Sequence, residues 1–270
     1  MTKRIIITGA FSNGHSLLYK GLCRWQIRAL CNLDKYCEYI NCDFSVIDNS
    51  TPFNDIYNKI RRYGNYHPCV WAPATLCSVY GFLTTKNYDE IIWMDLDLIP
   101  NKSKNVFEEM PSSFHLMHNM LSRENEISFF HIKRKTEFLK QVMNLNDASL
   151  YDTNAGLIKM NLETVDKFDN FCRDYFLDIR NDQHIKNLLA KYEDMHGKKK
   201  YEFICDECIY DAFCNITKIE IFHPMEVDLS HHLVQQSDEK ILQQKTNRFI
   251  HFAGEDKKYI PVFLNAQEEI

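Results

Sequence analysis

Two carboxylates one residue apart, Asp95 and Asp97, stand at the end of the apolar run Ile91-Ile92-Trp93-Met94 and just before Leu98-Ile99-Pro100. A carboxylate leaving a buried run is costly unless it is paired or bound to a metal. Oxygen ligands suit a hard divalent cation, magnesium or manganese. Side chains at i and i+2 of an extended segment point the same way, so the pair is expected to converge on one ion. An ordinary strand-end turn also favours Asp. The order of the elements around the pair therefore matters.

An apolar run of this length, bounded by turn residues, reads as a buried parallel strand over 88–94. Open α/β sheets place ligands beyond the C-terminal ends of such strands. Upstream, residues 4–10 (Ile5-Ile6-Ile7 leading to Thr8-Gly9) read as a first buried strand. Ser16 is expected to cap a helix through about Leu33, with Leu18, Leu22, Trp25, Ala29 and Leu30 near helical spacing. Residues 37–47 alternate roughly and include a second strand. Helices are expected over 53–63 and 70–84. This β-α-β-α-α-β order predicts a nucleotide-binding, doubly wound α/β half. Downstream, strands are expected at 114–120, 126–131, 157–160, 219–223 and 248–254. Helices are expected at 136–145, 162–177, 182–192 and 206–213. The stripe Val165, Phe168, Phe171, Cys172, Tyr175 and Phe176 marks the helix at 162–177 as amphipathic. The basic turn at 196–200 reads as a solvated loop.

The 270 residues suffice for one large domain or two small ones; 45% are hydrophobic and 13% aromatic, which marks a globular chain. The net charge of −5 gives no general field for nucleic acid or anionic membrane. An anionic substrate would need a local cation, which a bound metal provides. The ten cysteines are scattered, and several fall in apolar patterns as small hydrophobes. The apolar run at the N-terminus is too short for a signal peptide, and no stretch is long and apolar enough to span a membrane. These features predict a reduced, cytoplasmic protein with no membrane span.

Three further segments follow the aspartates in order: Asn154-Ala155-Gly156, Asp206-Glu207, and His251-Phe252-Ala253-Gly254-Glu255-Asp256-Lys257. With Trp93-Met94-Asp95-Leu96-Asp97 they resemble the GT-A glycosyltransferases, nearest to the pattern of glycosyltransferase family 8, the glycogenin and galactosyltransferase type. The resemblance spans roughly residues 70–260. It implies one GT-A-like (Rossmann-like) domain over 1–270, a mixed, mainly parallel sheet flanked by helices. The nucleotide-binding half would cover about 1–100 and the acceptor and donor-sugar half about 101–270. It implies transfer of a sugar from a nucleotide sugar, UDP-linked, to a hydroxyl of a glycan, glycoconjugate or protein, with Mn2+ or Mg2+ bridging the diphosphate. By the same resemblance, Asp95, Asp97 and His251 would be the metal ligands. Gly254 would let the backbone approach the diphosphate, and Lys257 would contact phosphate. Asn154, Ala155 and Gly156 would lie beside the donor sugar. Asp206 would bind its hydroxyls. Thr8 and Phe11 would lie near the base.

Departures from the pattern are also legible. Glu207 stands where the family commonly has a glutamine near the anomeric carbon. The family pattern implies a retaining transfer. A carboxylate there could instead act as nucleophile, stabilise an oxocarbenium-like centre, or deprotonate the acceptor, which would invert. Lys258-Tyr259 replaces the usual Pro-Trp. Trp71-Ala72-Pro73-Ala74-Thr75 lacks the basic residue the family often carries on the preceding helix.

Other readings compete. Ile7-Thr8-Gly9-Ala10 with Gly14 is similar to a short-chain dehydrogenase start. The glycine pattern is incomplete, and the chain contains no Tyr-x-x-x-Lys. Cys205-x-x-Cys208 with Cys214 and His223 offers a structural zinc site in a non-catalytic interaction module. Buried cysteines on a helix are the simpler account. A nucleotidyltransferase would use the same Asp-x-Asp pair to release pyrophosphate from a nucleoside triphosphate.

Overall fold

The computed structural model describes residues 2–10, 22–48, 72–100, 104–110, 114–118, 136, 139–140, 145–146, 153–176, 206–219, 228–229, 249–252, 257 and 260–268. The helices expected at 53–63 and 182–192, the strand at 126–131, the loop at 196–200, nearly all of the strand at 219–223 and much of the helix at 136–145 lie outside them. So do Phe11, Cys205, His223 and Gly254.

The chain opens with β1 (Arg4–Gly9), an isoleucine-rich strand buried on both faces. It passes to α1 (Arg24–Ile40), β2 (Asp43–Ile47), α2 (Ala72–Thr84) and β3 (Glu90–Met94). The expected Ser16 start of α1 is corrected. The helix begins after Cys23, whose backbone N–H donates to Gln26 Oε1 at 2.9 Å. It also runs further than Leu33. The buried stripe Ala29, Leu33, Tyr36, Cys37 and Ile40 keeps helical period through a segment that alternation had suggested was extended. Asn41 ends it at φ 55°, with its N–H on Glu38 O and the next N–H on Cys37 O, the paired bonds of a Schellman cap.

After β3 come β4 (Leu98–Pro100), the single turn α3 (Val106–Glu109), β5 (Phe114–His118) and β6 (Thr153–Asn161). Asn161 caps α4 (Leu162–Phe171) by accepting from Thr164 N at 2.9 Å, and the helix continues as a π turn, Cys172–Phe176. Then follow α5 (Asp206–Thr217), β7 (Asp228–Leu229), β8 (Phe249–His251) and α6 (Ile260–Glu268).

The main sheet has the order β2-β1-β3-β6-β5. β1 pairs parallel with β2 and β3; β6 is antiparallel to both its neighbours, so among the described residues four of the five strands point one way. The two faces bury separate cores. Ile6, Ile92 and Met94 meet α1 and α3 through Leu33, Tyr36, Val106 and Phe107. Ile5, Ile7, Ile91, Trp93 and Ile158 meet α2, α4 and α5, where Phe82, Phe168, Tyr210 and Phe213 stack edge and face. The approach of α2 is close at Gly81: a Cβ there would lie 3.2 Å from Ile47 Cδ1, a tight contact. A second sheet, β4-β8-β7, sits at the C-terminal end of the strands. Among the described residues no helix is long and apolar enough to cross a membrane.

Charge at the opposite end of β3 is neutralised within the fold. Glu90 pairs with Arg4 at 2.7 Å and with the fully buried Lys159 at 2.5 Å. Burial alone would raise the Glu90 carboxyl; hydrogen bonds and charge from Lys159 and Arg4 outweigh it and hold the group below its usual range. A depressed carboxylate contributes stability above its unfolded value, about 4.3, and that contribution fades as pH falls through its folded value. Glu90→Gln is expected to leave Lys159 buried without its countercharge. The cost should be about 3 kcal/mol in urea unfolding at neutral pH, shrinking towards acid pH.

Candidate functional site

The topology marks one end of the sheet. From β1 the chain crosses to β2 by way of α1 on one face, and it reaches β3 by way of α2 on the other. The crevice at such a switch point lies beyond the C-terminal ends of the two diverging strands. Here those ends are Thr8-Gly9 on β1 and Asp95 after β3, with Ile7 opposite Trp93 in the ladder.

Asp95 is anchored from two sides. Its backbone N–H donates to Gly156 O at 2.7 Å, which carries the β3–β6 ladder one residue past the strand. Its carboxylate Oδ1 accepts from Trp93 Nε1 at 2.9 Å. The β5–β6 pairing shifts register between Leu116, opposite Ile158, and Met117, opposite Asn154. Residues 155–157 therefore bulge where Gly156 meets Asp95. Bulges of this kind re-aim backbone next to sites.

The extended geometry expected for the Asp-x-Asp segment is corrected. Leu98 N–H donates to Asp95 O at 2.9 Å, so 95–98 is a β-turn between β3 and β4. The two carboxylates nevertheless act on one point. Asp97 Oδ2 lies 2.9 Å from Lys257 Nζ, and the ammonium sits 5.5 Å from the centre of the Trp25 ring. Burial alone would lower the Lys257 ammonium. Asp97, by charge and hydrogen bond, and then Asp95 by charge, more than reverse this and hold it above the ordinary lysine range. The turn thus favours a cation at a defined place, and the ammonium is the cation found there.

The donor set suits a hard divalent ion: two carboxylates, one of them only 10% exposed, at a strand end. β4 pairs antiparallel with β8, Leu98 opposite His251, and Phe252 N–H donates to Asp97 O at 2.9 Å. Residue 251 is thus a backbone neighbour of the Asp turn. Among the described residues no group of three or more His, Cys, Asp or Glu side chains is close enough to form a metal cluster.

The remaining expected residues fall around this centre. Ala155 is buried, and Asn154 lies on β6 opposite Met117. Asp206 and Glu207 open α5, with Glu207 half-buried. That helix packs on β6 and is tied to α2 by Tyr210 O–H donating to Ser78 Oγ at 2.9 Å. Thr8 is wholly buried, and its hydroxyl has no hydrogen-bond partner among the described residues. Cys208 and Cys214 are buried inside the apolar core, where burial and then Asp211 push the Cys214 thiol up. That is the small-hydrophobe role expected of them. Two residues assigned only to their elements from the sequence also touch the site, Trp93 through Asp95 and Trp25 through Lys257. Trp93 had a signal, being two residues before Asp95 on the same strand face. Trp25 had none, because its contact with Lys257 spans most of the chain.

No protein-family model matches the chain, and no curated protein does. Solved structures match nearly all of it. The bifunctional glycosyltransferase WbbM, in its apo structure, is 12% identical with a TM-score of 0.52, over 98% of this chain and 49% of that one. The galactosyltransferase LgtC, in complex with donor and acceptor sugar analogs, is 10% identical with a TM-score of 0.49, over 98% of this chain and 96% of that one. Mouse xyloside xylosyltransferase 1, in its apo form, is 12% identical with a TM-score of 0.44, over 94% and 98%. The likeness to WbbM shows the fold: the chain has the GT-A-type α/β architecture and spans about half of that protein.

The unpartnered Thr8 hydroxyl gives a test. If it serves only the fold, Thr8→Val is isosteric and removes a buried polar atom, so stability in urea unfolding should be unchanged or up to about 1 kcal/mol higher. A hydroxyl used by a ligand would show the same stability together with weaker nucleotide binding.

Proposed function

We propose that the chain is a metal-dependent glycosyltransferase. It moves a sugar from a UDP-sugar to a hydroxyl of a glycan, glycoconjugate or protein. The observation that carries this reading is the pair Asp95 and Asp97, which directs negative charge onto one point at the switch-point end of β1 and β3. The shared fold supports it. The whole chain acts as one such unit in the cytoplasm.

Asp95, Asp97 and His251 are the residues that would hold Mn2+ or Mg2+. When bound, the ion offsets the negative charge that gathers on the departing diphosphate. Trp93 fixes one oxygen of Asp95 by donating its indole N–H to Oδ1. Lys257 has the stem length to reach from Asp97 to a phosphate oxygen. Gly254 allows close backbone approach. The bulge at 155–157, with Asn154, walls the donor sugar. Asp206 binds donor hydroxyls, and Thr8 with Phe11 lies on the base side. Glu207 faces the anomeric carbon, and the transfer retains configuration. A carboxylate there is chemically able to stabilise positive charge as the glycosidic bond loosens.

Calorimetric titration of UDP with and without Mn2+ tests the reading. Wild type should bind UDP only with the metal, and Asp95→Asn/Asp97→Asn should weaken it at least about tenfold, the scale of one lost charge-assisted contact. Failure of UDP, GDP, CMP and dTDP alike to bind wild type would sink the transferase. NMR of the sugar released from a hydrolysed UDP-sugar should show the donor's own anomer first. The opposite anomer would make Glu207 a base in an inverting reaction.

A further inference from the structure

The Lys257 ammonium is held by three groups at once. Asp97 pairs with it at 2.9 Å, Asp95 adds charge, and the Trp25 ring covers it at 5.5 Å. Trp25 belongs to the first turn of α1 and packs against the cluster of Ala10, Ala29, Leu96, Phe252 and Phe263. The lysine stands three residues before α6, which packs on the same cluster. A divalent ion on Asp97 would place two positive centres a few ångströms apart in a partly desolvated turn, where repulsion far exceeds thermal energy.

We propose that Lys257 is the resident counter-ion of the Asp95–Asp97 turn in the metal-free chain, that Trp25 is the residue positioning it there, and that a divalent ion must displace it before the pair can ligate. The inference rests on the metal-dependent reading above. It has a consequence for order. Displaced from Asp97, the ammonium needs another anion, and a nucleotide diphosphate supplies one. Metal and nucleotide therefore bind cooperatively, each raising the other's affinity by the same factor. The metal alone binds weakly because it displaces the lysine with no second anion to receive it.

The test measures free Mn2+ by electron paramagnetic resonance in titrations of the full chain, with and without UDP. Lys257→Met should bind Mn2+ alone about tenfold more tightly than wild type while binding UDP more weakly, so the coupling between them shrinks. Trp25→Leu should tighten Mn2+ alone about two- to threefold, and the gain should vanish in a Lys257→Met background. Generalised damage to the site would weaken both ligands, so the opposite signs separate displacement from misfolding. Lys257→Gln and Trp25→Leu carry the same comparison if Lys257→Met does not fold. If Asp95→Asn/Asp97→Asn abolishes Mn2+ binding but Lys257→Met leaves it unchanged or weaker, the counter-ion role is wrong and the metal site stands. If the Asp double variant binds Mn2+ as wild type does, the metal reading falls and the inference with it.

Discussion

A carboxylate buried at the end of a strand has to find positive charge, and the architecture around β3 is arranged by that need. Asp97 is nearly excluded from water at the third position of the turn into β4. Its backbone carbonyl is taken by Phe252, which ties β8 to the turn, and its side chain is taken by Lys257. Asp95 is held one step earlier, through its N–H on Gly156 and its Oδ1 on Trp93. Shifting Asp97 along the chain would break its backbone bond to Phe252 and its ion pair, and shifting Asp95 would break its bond to Gly156 and the one it accepts from Trp93. The small second sheet exists where it does because β4 begins as soon as the Asp turn closes.

The two ends of β3 solve the charge problem differently. At the N-terminal end, Glu90 meets Arg4 and the buried Lys159, whose ammonium also donates to the carbonyls of Phe107 and Met110. Those partners sit on neighbouring strands and turns, so the charge is closed within the fold. On the α4 side, Asp169 is similarly closed by Lys86 and Arg173. At the C-terminal end the partner of Asp97 is a lysine outside any strand, about one-third exposed, on a long flexible stem. Permanent pairs suit stability. An exchangeable pair suits the proposed entry of another cation.

The sequence was most legible where one period ruled. The isoleucine and tryptophan run of β3, the triple isoleucine of β1 and the aromatic stripe of α4 each read directly as buried elements and proved to be so. α1 was misplaced because Ser16 is a good capping type, whereas the helix starts with a glutamine reaching back to the Cys23 N–H. The rough alternation over 37–47 does include a second strand, β2 at Asp43–Ile47, while residues 37–40 belong to α1, where Tyr36, Cys37 and Ile40 share one buried face. The Asp-x-Asp pair is legible by its chemistry, but its geometry is that of the competing reading, a strand-end turn of the kind Asp favours, and not an extended strand. Trp25 was illegible for a general reason: contacts between distant segments carry no local spacing.

What is particular to this chain lies in the third apolar cluster. Ala10 after β1, Ala29 on α1, Leu96 in the turn, Phe252 after β8 and Ile260, Phe263 and Leu264 on α6 bury one another beside the Asp turn. The cluster is small and stands apart from the two cores that bury the main sheet. Its packing joins the start of α1, which carries Trp25, to the start of α6, which follows Lys257. The ring that the lysine meets is thus seated by apolar contacts of this cluster. A methylene lost from Phe263 or Leu264 would loosen α6 against α1 and alter how firmly the ammonium is held on Asp97, while leaving the sheet intact. In this arrangement the strength of a charge pair at the site is governed by hydrophobic packing behind it.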